Sequence, residues 1–199
     1  MTTSSWGDEP PGATPLDQED FEQLIPTHIA TRADLNAAER DNILNARVWA
    51  FTRSRMSVDA LLEIAMVDAF HRRMFGRVWR WAGRRRTTST NIGVEPAQIV
   101  TQLKDALDDA RYWHHNATFG HNEIAVRIHH RLVQVHPYVN GNGRHARFIA
   151  DFYLHLIGHD AMPWKPDESD LADSRAAYIS ALRAADQGDY SSLIAYAIG

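Results

Sequence analysis

The chain has 199 residues, 44% of them hydrophobic and 23% charged, with a formal net charge of -4. This composition suits one ordinary globular domain with a sizeable core. No apolar run approaches the roughly 20 residues that span a bilayer, the polar opening Met1 to Pro15 lacks the apolar stretch of a secretion signal, and the absence of cysteine excludes disulfides and thiolate metal sites. These features predict a cytoplasmic protein without membrane contact, and the negative charge argues against direct nucleic-acid binding.

Residues 1–15 are rich in Gly, Pro, Ser and Thr and read as a disordered arm. Residues 16–54 read as an N-terminal extension and helix packing on the core, and residues 55–199 as the main domain. Leu16 to Ile29 is expected to dock through Phe21, Leu24 and Ile25. A helical pattern covers about Asp34 to Arg53, carried by Leu35, Ile43, Leu44, Ala46, Trp49 and Ala50. A second helix is expected from the N-cap Ser57 to about Phe75. Seven arginines from Arg72 to Arg86 then fall close together. They read as a solvated face or as a rim that attracts phosphate or an acidic partner. Thr87 to Asn91 are poor helix formers, so Arg86 to Val94 is expected to form a short hairpin.

Pro96 suits the first turn of a helix running to about His115. Another covers about Asn122 to Val135, with Ile124, Ile128 and Leu132 on its buried face. After the break HPYVNGNG at 136–143, helical periodicity resumes at Arg144 with Phe148, Phe152 and Leu156, and Gly158 and Pro163 close it. Asp167 to Asp186 and Asp189 to Ile198 read as the last helices. The predicted fold class is all-α, a helical bundle with one small β-hairpin. Trp79, Trp81 and Trp113 are expected in the core. His155 and His159 have a spacing that can bind zinc, but no Glu follows as in H-E-x-x-H, so capping and surface roles are expected of them.

The segment HPYVNGNGRHAR at 136–147 carries the chemistry. Gly141 and Gly143 permit positive φ and a close backbone approach, and a glycine-rich loop entering a helix is an anion site. Arg144 and Arg147 lie three apart in the first turns, where cations oppose the helix dipole. A polyphosphate would offset that cost and suit two guanidiniums. Asp151, at i+4, is a local partner for Arg147, whereas Arg144 has no equally obvious one. His136, just before Pro137, can act as a base near neutral pH. Asn140 offers an amide oxygen to a hard cation such as Mg²⁺. Base, cation ligand, anion cradle and arginine clamp point to transfer from an Mg-bound nucleoside triphosphate to a hydroxyl.

The segment resembles the Fic/Doc signature H-x-F-x-[D/E]-G-N-G-R-x-x-R at His136, Gly141, Asn142, Gly143, Arg144 and Arg147. WAGRRRTTSTNIG at 81–93 is similar to the family's WAG-x-x-R segment and flap, and residues 175–194 are similar to its usual ending. LIPTHIATRADLN at 24–36 further resembles the bacterial Fic subgroup called mobile mystery protein B. The resemblance implies a Fic-type helical bundle and a protein adenylyltransferase (AMPylator) that uses ATP with Mg²⁺. Its partner would be a target protein modified on Ser, Thr or Tyr. It assigns His136 as base, and Gly141, Asn142, Gly143, Arg144 and Arg147 as nucleotide ligands. Thr88, Ser89, Thr90, Asn91 and Ile92 would form the target-binding flap. Tyr138 replaces the usual Phe, and Asn140 replaces the acid that helps to hold the metal. The alternatives are transfer of another nucleotide or phosphate-containing group, or a degenerate domain that binds nucleotide or protein without turnover. Many relatives also carry an inhibitory Glu that pairs with the second motif arginine. Glu39 is the best match here, with a separate inhibitory partner protein as the alternative.

Overall fold

In a computed structural model, residues 21–53, 55–164 and 171–199 are described. The arm at 1–15, the start of the docking segment at 16–20 and the predicted helix onset at 167–170 lie outside them. Among the described residues the fold is helical: α1 (Arg32–Arg53), α2 (Val58–Leu61), α3 (Ile64–Phe75), a 3-10 turn (Pro96–Gln98), α4 (Ile99–Asn116), α5 (His121–Val135), α6 (Asn142–Leu156), α7 (Leu171–Asp186) and α8 (Ser191–Ile198).

The segment expected as one helix from Ser57 to Phe75 is broken at Leu62 and Glu63. Leu61 and Leu62 are both buried. In one continuous helix adjacent side chains diverge by about 100°, and the break lets both enter the core. Ser57 caps α2 as expected, accepting from the Ala60 N–H at 3.2 Å. Leu44 departs from its expected role: it is 58% exposed, so the buried stripe of α1 runs through Leu35, Ala46 and Ala50 without it.

Helices α5 and α6 make the most extensive pairing. Nearly every residue of α6 from His145 to Leu154 is buried, Arg147 being the exception at half-burial, because α1, α2, α3 and α5 all pack on it. Phe70 of α3 meets Phe148 at 5.1 Å, and Phe51 of α1 meets Phe152 at 5.4 Å, so the N-terminal helix shares one core with the rest. Trp79 and Trp81 are core residues stacked at 5.1 Å, and Trp113 packs half-buried against the core. Arg127 lies over Phe119 and Tyr190 at 3.8 and 3.9 Å, tying α5 to the C-terminal helices.

No strand occurs among the described residues, only the isolated bridges Leu24 to Trp79 and Arg85 to Tyr138. The segment expected as a hairpin, Arg86 to Val94, is a loop. Its polar side chains bond locally in place of a ladder: Ser89 Oγ donates to Glu95 at 2.9 Å and Thr90 Oγ1 to the Ile92 carbonyl at 2.6 Å.

The core also buries imidazoles. Desolvation pushes proton binding by His71 and His129 well below the ordinary 6.5, that of His136 down to about 4 and that of His145 to about 3. In the unfolded chain these groups bind protons near pH 6.5, but in the folded chain only at much lower pH. Their contribution to stability is therefore complete above pH 6.5 and is lost as the pH falls toward the folded values. Each proton so linked changes stability by on the order of 1 kcal/mol per pH unit. Urea unfolding should show a clear loss of stability from pH 7 to pH 5, where carboxylates remain largely ionised. His145→Gln should flatten that slope by about one proton. A flat profile over this range would show that these histidines are not buried as neutral groups.

Candidate active site

The loop from His136 to Gly141 joins the two central helices, and its geometry begins at Pro137. Proline disfavours α-helical backbone in the residue before it. His136 ends α5 in the left-handed region, at φ 51° and ψ 60°, with its N–H on the Leu132 carbonyl. Its side chain is buried. Nδ1 lies 3.4 Å from the Val133 carbonyl, which can only accept, so the ring proton belongs on Nδ1. Nε2 is buried without a partner and carries the free lone pair.

The loop is held from its inner side. Tyr138 N–H donates to Asn142 Oδ1 at 3.0 Å, and Asn142 Nδ2 donates to the Tyr138 carbonyl at 2.9 Å. The buried side chain of Asn142 thus braces the loop. Gly83 N–H donates to His71 Nδ1, so His71 donates through Nε2 to the Asn140 carbonyl at 3.0 Å. His71 also stacks on Tyr138 at 3.7 Å. The Tyr138 hydroxyl, absent from a Phe, donates to Asp68 at 2.8 Å, and Asp68 pairs with Arg85 at 3.0 Å.

Gly141 turns at φ 78°, where a Cβ would lie 2.6 Å from the Phe75 ring, so both backbone and space require glycine. No side chain caps α6. The helix begins at Asn142, two residues before the expected start, and its first main-chain bond is His145 N–H to the Gly141 carbonyl. The N–H groups of Asn142, Gly143 and Arg144 thus precede the helical ladder, and a Cβ on Gly143 would find nothing nearer than the Tyr178 hydroxyl at 4.0 Å. Asn140 Oδ1 accepts from Gly141 N–H at 2.6 Å.

Arg144 Nη1 reaches Glu39 of α1 at 2.5 Å, and the other Glu39 oxygen accepts from Trp79 Nε1 at 2.6 Å. Glu39 therefore meets the first motif arginine, whereas the expectation was the second. A cleft of about 370 Å³, lined by Asn36, Arg40, Ile43, Leu44, Arg47 and Arg144, opens beside this pair. Arg147 lies 5.0 Å from the Tyr178 ring and 5.8 Å from that of Trp164. Its expected local partner Asp151 bonds instead to Arg47 at 3.1 Å and Trp164 at 2.8 Å. His155 packs on Phe51 and Phe152, and His159 on His121.

The arginine run divides by position. Arg73 stacks on Trp49 at 3.6 Å, Arg85 pairs with Asp68, and Arg86 is buried beneath the flap. The flap residues Thr88, Ser89, Asn91 and Ile92 are exposed and Thr90 half-buried. Sequence reasoning missed His71 and Asp68, which have no local signature, and it treated Arg86 as surface.

A family model described as "Fic/DOC family" matches residues 61–154. The chain is 31% identical over 161 residues to "Protein adenylyltransferase fic-1" of Caenorhabditis elegans, which covers 77% of this chain but only 28% of that protein. The solved structure of C. elegans Fic-1 (residues 134–508) superposes with a TM-score of 0.65 at 27% identity, covering 88% of this chain and 50% of that one. A "Uridine 5'-monophosphate transferase" of Xanthomonas campestris is 35% identical over 69 residues, 31% of this chain and 13% of that protein. The chain thus spans less than a third of these curated relatives.

The bracing role of Asn142 is testable. Asn142→Ala removes two buried bonds to one peptide unit and should cost about 2–4 kcal/mol. Chemical denaturation would measure it, and a loss below about 0.5 kcal/mol would mean that the loop holds its shape without the amide.

Proposed function

The chain carries a Fic/DOC family domain, and on that premise we propose that it is a protein adenylyltransferase. It moves AMP from Mg-ATP to a Ser, Thr or Tyr hydroxyl of a target protein. The observation that carries this reading is His136 Nε2, a buried nitrogen with a free lone pair beside a glycine-lined helix start. Nε2 takes the proton from the target hydroxyl. The oxygen bonds to the α-phosphorus of ATP, the bond from that phosphorus to the bridging oxygen breaks, and pyrophosphate leaves. The N–H groups of Asn142, Gly143 and Arg144 and the guanidiniums of Arg144 and Arg147 would bind the anionic oxygens. Thr88 to Ile92 present an exposed edge for the target segment.

Mg²⁺ would neutralise phosphate charge and be held mainly by the nucleotide's own oxygens. Asn140 is the side chain suited to add to them. Its amide oxygen is neutral and bonded to Gly141 N–H, so it fits a weak ligand, not a strong one. That same feature, together with the partial match to a uridine 5'-monophosphate transferase, supports transfer of another nucleotide as the second reading.

His136→Ala should abolish transfer while Mg-ATP affinity changes less than about threefold, because the phosphate groups lie elsewhere. Single-turnover transfer and calorimetric titration separate the two, and a mutant near the wild-type rate would refute the mechanism.

Glu39 holds a carboxylate on Arg144 where a phosphate would bind, which supports an inhibitory role. Glu39→Gln keeps an acceptor for Trp79 and removes the charge. Mg-ATP affinity should rise about tenfold, roughly 1.4 kcal/mol, with a parallel rise in self-modification. Unchanged affinity would point to control by a separate protein.

A further inference from the structure

Arg86 is a buried cation bonded only to main-chain oxygens. It is 4% exposed. Its Nε donates to the carbonyl of His136 at 2.7 Å, Nη1 to that of Thr88 at 2.9 Å, and Nη2 to that of Val94. Its own N–H donates to the Pro137 carbonyl at 2.9 Å. A cation so placed pays a desolvation cost that a Leu or Met would avoid, and the sites it joins suggest what is gained. His136 and Pro137 are the base and the start of the catalytic loop. Thr88 and Val94 are the two ends of the exposed loop. Between them, Gly93 approaches so closely that a Cβ would lie 2.5 Å from His136 Cβ and 2.8 Å from Arg86 Nη2.

We propose that Arg86 is a positioning residue that sets the flap and the catalytic base in one register, so that an acceptor hydroxyl held along residues 88–92 arrives at His136 Nε2. A planar guanidinium fixes three donors in rigid directions, which a flexible ammonium cannot do. Three carbonyls, one at the catalytic loop and two at the ends of the flap, are therefore held at fixed distances by one group. No ladder performs this task, since the flap has none. The guanidinium also places a positive charge near the imidazole, which adds to burial in keeping His136 neutral. Arg86 touches neither nucleotide nor acceptor in this scheme and acts through the backbone of both partners.

The inference rests on the transferase reading for its functional meaning, and the test separates the two. The full chain would be compared with Arg86→Lys and Arg86→Ala in three measurements. Mg-ATP affinity by calorimetry should change less than about threefold. Self-modification at saturating Mg-ATP should fall about 100-fold or more, with partial recovery of Arg86→Ala by added guanidinium at millimolar concentration. NMR of the His136 imidazole should show the Nδ1–H form in the wild type and a mixture of both neutral forms in the variants, with proton affinity moving up toward the ordinary 6.5. The imidazole measurement needs no turnover. A wild type and a Glu39→Gln variant that both bind Mg-ATP but transfer nothing would count against the transferase reading alone. An unchanged imidazole in a folded Arg86→Lys, or ATP affinity that falls in step with rate, would overturn the positioning role.

Discussion

The loop between α5 and α6 depends on side chains of the core that satisfy its own peptide groups, and the rest of the structure is arranged around those bonds. A glycine-rich loop is entropically expensive to order and prone to close on itself. Here it is fastened from the side facing the core. Asn142 clasps the Tyr138 peptide unit in both directions, and His71 holds the Asn140 carbonyl. The N–H groups of Asn142, Gly143 and Arg144 precede the helical ladder. Phe75 fills the space behind Gly141 so that the turn has one conformation. These braces come from α3 and α6, both of which are buried against the core.

The same burial decides protonation. An imidazole used as a brace must donate at one nitrogen and accept at the other, so it must be neutral. His71 shows this: it accepts from Gly83 and donates to Asn140. His136 is neutral for a related reason, but one of its nitrogens has no partner. An unsatisfied buried acceptor is costly and is normally tolerated where chemistry uses it. A low proton affinity weakens a base in the ground state. If a nucleotide bound beside His136 as proposed, its negative charge would raise that affinity.

What was legible in the sequence was local. His136, Gly141, Gly143, Arg144 and Arg147 sit within twelve residues, and their chemistry follows from spacing along one loop and one helix turn. The helices with clear periodicity, α5 and α6, were also readable. The partners of these groups were not. Glu39 lies 105 residues from Arg144 and Asp68 lies 70 from Tyr138, and no periodicity connects them. The Asp151 carboxylate looked like an i+4 partner for Arg147, yet packing turns it to Arg47 and Trp164. The flap read as a hairpin because Thr and Ser disfavour helix. The same hydroxyls can replace strand pairing with local bonds, and sequence pattern does not distinguish the two outcomes.

The contact of Glu39 with Arg144, not Arg147, has a physical consequence. Arg144 is the arginine nearer the glycine loop, at the first turn of α6 and 44% exposed. A carboxylate there opposes its charge close to the helix start. On the proposed reading, a triphosphate that used the Arg144 guanidinium would compete with Glu39 for it. Trp79 holds the other carboxylate oxygen, so the carboxylate cannot simply rotate away. Trp79 N–H in turn bonds to the Phe75 carbonyl, and Phe75 is the ring against Gly141. Arg144, Glu39, Trp79 and Phe75 thus form one chain of contacts that ends at the glycine loop.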